Sequence, residues 1–185
     1  MFVFPFHKGG HIREMASNDL AQRIREEHDA CGVGFIADLG GGSSHTIVKR
    51  GLEAAAAMCH RGARAADGRT GDGAGILCET PRAFFARELA AGGIRATAGH
   101  LAALGLFMPR ELELAAAIRA KVVSTVRSSD VIPLRWRVPP TDDRALGALA
   151  LLTKPMFEQL IVDMGPGNVR ERMRGARRAV ERLLN

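Results

Sequence analysis

Cysteine is scarce in this chain of 185 residues: there are three, Cys31, Cys59 and Cys78, with no paired spacing. That excludes a disulfide framework and a cysteine-based zinc site, and it fits a reducing cytoplasm. Long apolar runs are missing too. The opening stretch MFVFPFHKGG is broken by Pro5, His7 and Lys8, too short for a signal core and without a basic lead. Nothing elsewhere reaches a transmembrane length. Negative charge is in deficit, 20 Asp+Glu against 26 Lys+Arg, and the excess gathers at Arg170, Arg172, Arg174, Arg177, Arg178 and Arg182. These arginines surround an apolar seam of Val169, Met173, Ala176, Val180 and Leu183, so they read as the solvated face of an amphipathic helix, not a nucleic-acid surface. The glycines of Gly71–Gly75 lack the Gly-x-x-x-x-Gly-Lys pattern of a phosphate loop. Gly32-x-Gly34-x-x-Ala37 lacks the preceding strand that a dinucleotide fingerprint needs.

What is present is a composition 46% apolar, enough for a core, with no internal repeat or low-complexity tract. A polar helical segment opens at Met15, itself a plausible alternative start, and ends near Arg25. A strand is expected at 31–38, where Val33 and Phe35 share one face and Gly32 and Gly34 leave the other bare. Ser43 or Ser44 caps a helix to about Cys59, with Ile47, Leu52, Ala55 and Met58 on one side and Gly62 as its stop. A second short strand follows at Ile76-Leu77-Cys78, then a helix begun by Pro81 that carries Phe84, Phe85 and Leu89. The remainder alternates: strand 101–108, helix 111–124 with Leu114, Ile118 and Val122 in register, and strand 131–138 with Trp136. It ends with a short helix 146–152, strand 157–163 and the basic helix 169–184. This order predicts an α+β layered domain, a sheet with helices on a face.

The chemistry-bearing candidates are Cys31, His60, Arg61, Asp72 and the glycines between Gly71 and Gly75. A cysteine nucleophile needs a base, ordinarily histidine, although a lone His60 at a helix end is more often a capping or packing residue. Arg61 and Asp72 have opposite charges suited to the two ends of an amino-acid substrate.

Five fragments stand in order: Glu27-His28-Asp29-Ala30-Cys31-Gly32-Val33-Gly34-Phe35, Ser44-His45-x-Ile47-Val48, His60-Arg61-Gly62-Ala63, Ala66-Asp67, and Thr70-Gly71-Asp72-Gly73-Ala74-Gly75-Ile76. Together they closely resemble the start of the glutamate synthase large subunit, its class-II glutamine amidotransferase domain. The likeness continues through Pro81-x-x-Phe84-Phe85, Trp136-Arg137 with Val138-Pro139, Leu146-Gly147 and Pro155-x-x-x-Gln159. It implies an N-terminal-nucleophile hydrolase, a layered αββα sandwich, in which residues 1–30 are a propeptide or extension removed between Ala30 and Cys31. Cys31 would then be the catalytic nucleophile and its own α-amino group the base, making a histidine base unnecessary. An α-amino group titrates near about 8 and a thiol near about 8.5, so the proton exchange is almost balanced. The implied substrate is L-glutamine, hydrolysed to glutamate and ammonia through a thioester, with 2-oxoglutarate as the ammonia acceptor. Arg61, Gly71, Asp72 and Gly73 are the implied substrate-binding residues. No metal and no cofactor are implied for this portion, because FMN and the iron–sulfur cluster belong to later domains of the enzyme. Neither nucleic acid nor membrane is expected as a partner.

The family's domain runs longer than residues 31–185. Its later half brings an arginine segment for the substrate carboxylate and an Asn-Gly pair for the oxyanion hole. Here the asparagines are Asn18, Asn168 and Asn185, none before a glycine. The expectation is thus the N-terminal portion of the domain, its sandwich incomplete, with the remaining domains or subunits of a glutamate synthase acting in trans. The alternative is a truncated, inactive fragment, or an interaction or regulatory module that retains the start of the fold.

Overall fold

The computed structural model describes residues 32–40, 42, 44–58, 64–71 and 73–184, together with the backbone of 2–4. The helical segment expected at 15–25 lies outside these residues. The chain divides into two compact units, one holding Glu79–Thr141 and Pro155–Asn185 with the first residues, the other Lys8–Cys78 and Asp142–Lys154.

The first unit is built on a four-stranded sheet. Its strands are β1 (Phe2–Phe4), β2 (Leu101–Met108), β3 (Ile132–Arg137) and β4 (Met156–Asp163), in the order β1-β2-β4-β3. β4 pairs antiparallel with both β2 and β3, whereas β1 joins β2 in parallel. β2 and β3 therefore run the same way on either side of β4, linked by the helix α3 (Leu112–Arg127). The β2–β4 ladder is unbroken from Leu101↔Asp163 to Met108↔Met156. β2, LAALGLFM, is a continuous apolar run and β4, MFEQLIVD, is apolar over Leu160–Val162, because both faces are covered there.

On one face Ala102, Leu104, Leu106 and Met108 of β2 and Leu160 and Val162 of β4 meet α3 and α5 (Val169–Leu184). α3 contributes Ala115, Ile118, Val122 and Val126, and α5 contributes Met173, Ala176 and Val180, each set at three- and four-residue spacing. On the other face Leu101, Ala103 and Ile161 pack on Phe85 and Leu89 of α2 (Arg82–Ala91). The helices stop where their sequences say they should. α2 ends in a Schellman turn, with Gly93 at φ 78° and the Ile94 amide donating to the Leu89 carbonyl at 2.9 Å. α3 ends with Asp130 at φ 55°, a left-handed conformation that aspartate tolerates better than most side chains.

One ion pair is set into this sheet. Glu158 is buried, and its carboxylate accepts both Nε and Nη2 of Arg119 from α3, at 2.8 and 2.5 Å. A paired, bidentate partner is what makes a buried carboxylate tolerable.

The second unit contains α1 (His45–Ala57), the short α4 (Ala148–Thr153) and otherwise turns and irregular chain among its described residues. α1 starts where Ser44 is in extended conformation and its Oγ accepts the Thr46 amide, so the capping expectation holds. Two expected strands do not form. Residues 32–38 and 76–78 have no ladder partner among the described residues, and Val33, Phe35 and Leu77 are exposed. An alternating apolar run becomes a strand only when a neighbour takes up its backbone hydrogen bonds and buries one face. The overall α+β class stands, with a single mixed sheet among the described residues; a second sheet of a sandwich is not among them.

Leu104 is fully buried, so Leu104→Ala is expected to destabilise the first unit by about 3 kcal/mol. Leu114, expected in register with the core but in fact 38% exposed, is expected to tolerate Leu114→Ala within about 1 kcal/mol. Urea unfolding of the two variants checks the difference; equal losses would contradict this packing.

Candidate functional site

Of the candidate residues, Cys31, His60, Arg61 and Asp72 lie outside the described residues, and Gly71 and Gly73 lie within them. What the structure describes is the loop that Arg61 and Asp72 flank in the sequence. Arg64 and Gly71 form an antiparallel bridge, and the Ala65 amide donates to the Thr70 carbonyl at 2.7 Å. Between them Ala66-Asp67-Gly68-Arg69 makes a tight turn with Gly68 at φ 68°. Gly is the residue that adopts this conformation without cost.

Asp67 organises the turn. Its Oδ1 accepts the amides of Arg69 and Thr70 at 3.0 and 2.7 Å, and its Oδ2 accepts Thr70 Oγ1 at 2.6 Å. The same Oδ2 accepts the Leu149 amide at 3.1 Å, and Thr70 Oγ1 accepts the Ala150 amide at 3.2 Å. Two donors of the first turn of α4 are thus satisfied by residues about eighty positions earlier, a cap supplied from elsewhere in the unit. Arg69 Nη2 adds a bond to the Arg144 carbonyl at 2.7 Å. A Cβ placed on Gly147 would collide with Thr70 Oγ1, the Thr70 amide nitrogen and Asp67 Oδ2, so a glycine is required for the turn to sit this close. The hydrogen bonds from Thr70 Oγ1, the Leu149 amide and the Thr70 amide, in that order, hold the Asp67 carboxyl well below the usual carboxylate range.

Beyond Gly71, the loop is open. A Cβ at Gly73 or Gly75 would meet nothing within 4 Å, and the same holds for Gly34 after the cysteine. Cys78 is a free, exposed thiol.

A second cluster joins other fragments of the resemblance. Arg137 of β3 donates from Nη1 to Gln159 Oε1 of β4 at 2.8 Å. Its guanidinium also lies 5.4 Å from the Phe84 ring centroid and 5.7 Å from that of Phe85. Phe84-Phe85, Trp136-Arg137 and Gln159, separate in sequence, are thereby one contact, just as Asp67, Thr70 and Gly147 are another. Asp67 and Gly147 were not singled out for a role from sequence, although Asp-Gly-Arg-Thr is a signal for a side-chain-bonded turn.

Because the Asp67 carboxyl titrates below its ordinary value, its contribution to the turn is fully present at neutral pH. It is lost as pH falls from the ordinary value of about 3.9 through the lower folded one. In a pH titration followed by ¹H–¹⁵N spectra, the amides of Arg69, Thr70 and Leu149 are expected to move together with a midpoint below that ordinary value. A midpoint at or above it, or a Leu149 amide that stays still, would contradict the arrangement. Gly147→Ala is expected to speed hydrogen exchange at the Leu149 and Ala150 amides, whose bonds to Asp67 and Thr70 it would break.

No helix among the described residues is long and apolar enough to cross a membrane. The sequence matches the family profile of the class-II glutamine amidotransferases over residues 31–184. It is 41% identical over 148 residues to the glutamate synthase [NADPH] large chain of Azospirillum brasilense, a match covering 80% of this chain and 10% of that protein. It is 38% identical over 143 residues to ferredoxin-dependent glutamate synthase 2 of Synechocystis, covering 77% and 9%. With the glutamate synthase [NADPH] large chain of Bacillus subtilis it shares 32% over 136 residues, covering 74% and 9%. The chain thus spans about one tenth of the length of the curated relatives it matches. With a profile match across most of its length, and with the scattered fragments of the likeness gathered into two side-chain clusters, the chain belongs to the class-II glutamine amidotransferases, as the portion found in glutamate synthase large chains.

Proposed function

We propose that this chain supplies the glutaminase step of a glutamate synthase: Cys31, freed as an N-terminal residue, attacks the side-chain amide of L-glutamine. The observation that carries the reading is the profile match, which begins at Cys31 itself and runs to residue 184 without leaving out the clusters described above. That start also supports residues 1–30 as a propeptide cut between Ala30 and Cys31, and 31–185 as the amidotransferase portion.

The α-amino group of Cys31 takes the thiol proton, and the thiolate adds to the amide carbon. The proton passes to the leaving nitrogen, so ammonia departs and a glutamyl thioester remains. Water then attacks the thioester carbonyl, glutamate leaves, and the thiol is restored. Neither a metal nor a redox group enters this sequence of steps, which is consistent with FMN and iron–sulfur chemistry belonging to other domains of the enzyme. Arg61 and Asp72 grip the carboxylate and ammonium ends of glutamine, and Gly71 and Gly73 let the backbone approach it. The Asp67 turn, closed by the Arg64↔Gly71 bridge, lies between Arg61 and Asp72 in the sequence. The described sheet with its helices is then one part of the αββα sandwich of N-terminal-nucleophile hydrolases. The remaining domains or subunits complete the site and deliver the ammonia to 2-oxoglutarate. The cytoplasm is the compartment in which Cys31 stays a free thiol.

The inactive-fragment alternative is less favoured, because the chain matches the class-II glutamine amidotransferases over residues 31–184 and its relatives are glutamate synthases. Co-expression with the remaining segments of a glutamate synthase large chain tests the proposal. Glutamine-dependent ammonia release is expected, together with a hydroxamate when hydroxylamine intercepts the thioester, and Cys31→Ala should reduce both by about a thousandfold or more. Full activity of Cys31→Ala would sink the assignment of the nucleophile.

A further inference from the structure

The exposed face of α5 carries Arg170, Arg174, Arg178 and Arg182, each four residues after the last. They run along about 18 Å of helix, all exposed, and none has a carboxylate or carbonyl partner among the described residues. The neighbouring arginines differ. Arg172 donates to the Met164 carbonyl at 2.7 Å and Arg177 to Glu181 at 2.7 Å. Like charges four residues apart repel and weaken a helix, and Arg170 also lies at the positive end of the helix dipole. Arg182, in the last turn, suits the dipole, and Glu171 stands three residues before Arg174. The cost of the stripe therefore falls on the crowding of Arg170, Arg174 and Arg178.

Beside the stripe lies Gly175, in mid-helix, where a Cβ would meet nothing within 4 Å. Glycine weakens a helix interior, and no contact within the described structure calls for it here. Ala179 follows four residues later, so the two small residues form a shallow lane alongside Arg174, Arg178 and Arg182. Close approach of a second backbone is the use to which a small-residue lane is suited.

We infer that α5 is a docking surface for an acidic helix of a partner protein. The partner backbone lies over Gly175 and Ala179, and carboxylates at four-residue spacing pair with the arginines. Charge complementarity selects an anionic occupant, and guanidinium groups suit carboxylates in bidentate geometry. The lane distinguishes a helix from a nucleic acid, whose phosphates would use the arginines but have no need of a gap beside them.

The test uses the full chain and two fluorescent alanine-rich peptides of one composition at low ionic strength, one with Glu at every fourth position and one scrambled, with a DNA duplex as a third probe. The patterned peptide is expected to bind about tenfold or more tightly than the scrambled one. Arg174→Glu with Arg178→Glu should remove that binding. Gly175→Leu, which leaves the charge unchanged, should weaken it several-fold while circular dichroism shows the helix intact. Equal binding of the scrambled peptide, a duplex bound as tightly as the patterned peptide, indifference to Gly175→Leu, or no binding of any probe would each overturn the inference.

Discussion

The eight-residue antiparallel pairing of β2 with β4 is the constraint on which the first unit depends. Both strands are covered on both faces, and their buried apolar side chains divide between two cores. Leu104 and Leu160 serve the face of α3 and α5, while Leu101, Ala103 and Ile161 serve the face of α2. A slip of one residue would exchange these sets and place the Glu158–Arg119 pair, which is oriented toward α3, on the wrong side of the sheet. The ion pair therefore reads as a register device as much as a source of stability, since buried pairs seldom add much beyond an apolar equivalent.

The second unit relies on a different economy. None of the residues of α1 is fully buried, and order around the candidate site comes from polar contacts. Asp67, with four hydrogen bonds to one carboxylate, closes a turn and caps a helix at once. In sequence it stands between Arg61 and Asp72, the two residues proposed to hold glutamine. A carboxylate held ionised by several donors keeps its geometry at any pH where glutamine hydrolysis would operate.

Sequence reading reached the elements whose burial is written into their own residues. Strand 101–108 and helix 169–184 were expected with the bounds observed, because a continuous apolar run and a sharply amphipathic one leave little choice. It failed where burial depends on a neighbour. Val33-x-Phe35 alternates like a strand and Ile76-Leu77-Cys78 is a short apolar run, but neither has a ladder partner among the described residues. In α3, Leu114 looked like a core position, yet the run LELAAAI offers several apolar faces, and the sheet selects the one with Ala115 and Ile118. The site was legible differently. The fragments that carry the resemblance named the family, but their mutual contacts, Arg137 with Gln159 and the Phe84-Phe85 pair, Asp67 with Gly147, join residues far apart in sequence and required the fold.

The chemistry of the family rests on a cysteine that has become residue one, so the mass of the purified chain tests the central claim most directly. It would be measured before and after incubation with a diazo-ketone analogue of glutamine. The account predicts a chain that begins at Cys31 and gains one adduct, located on that residue by peptide mapping. A chain that retains residues 1–30 and gains no adduct, with the remaining segments of a glutamate synthase present, would contradict it.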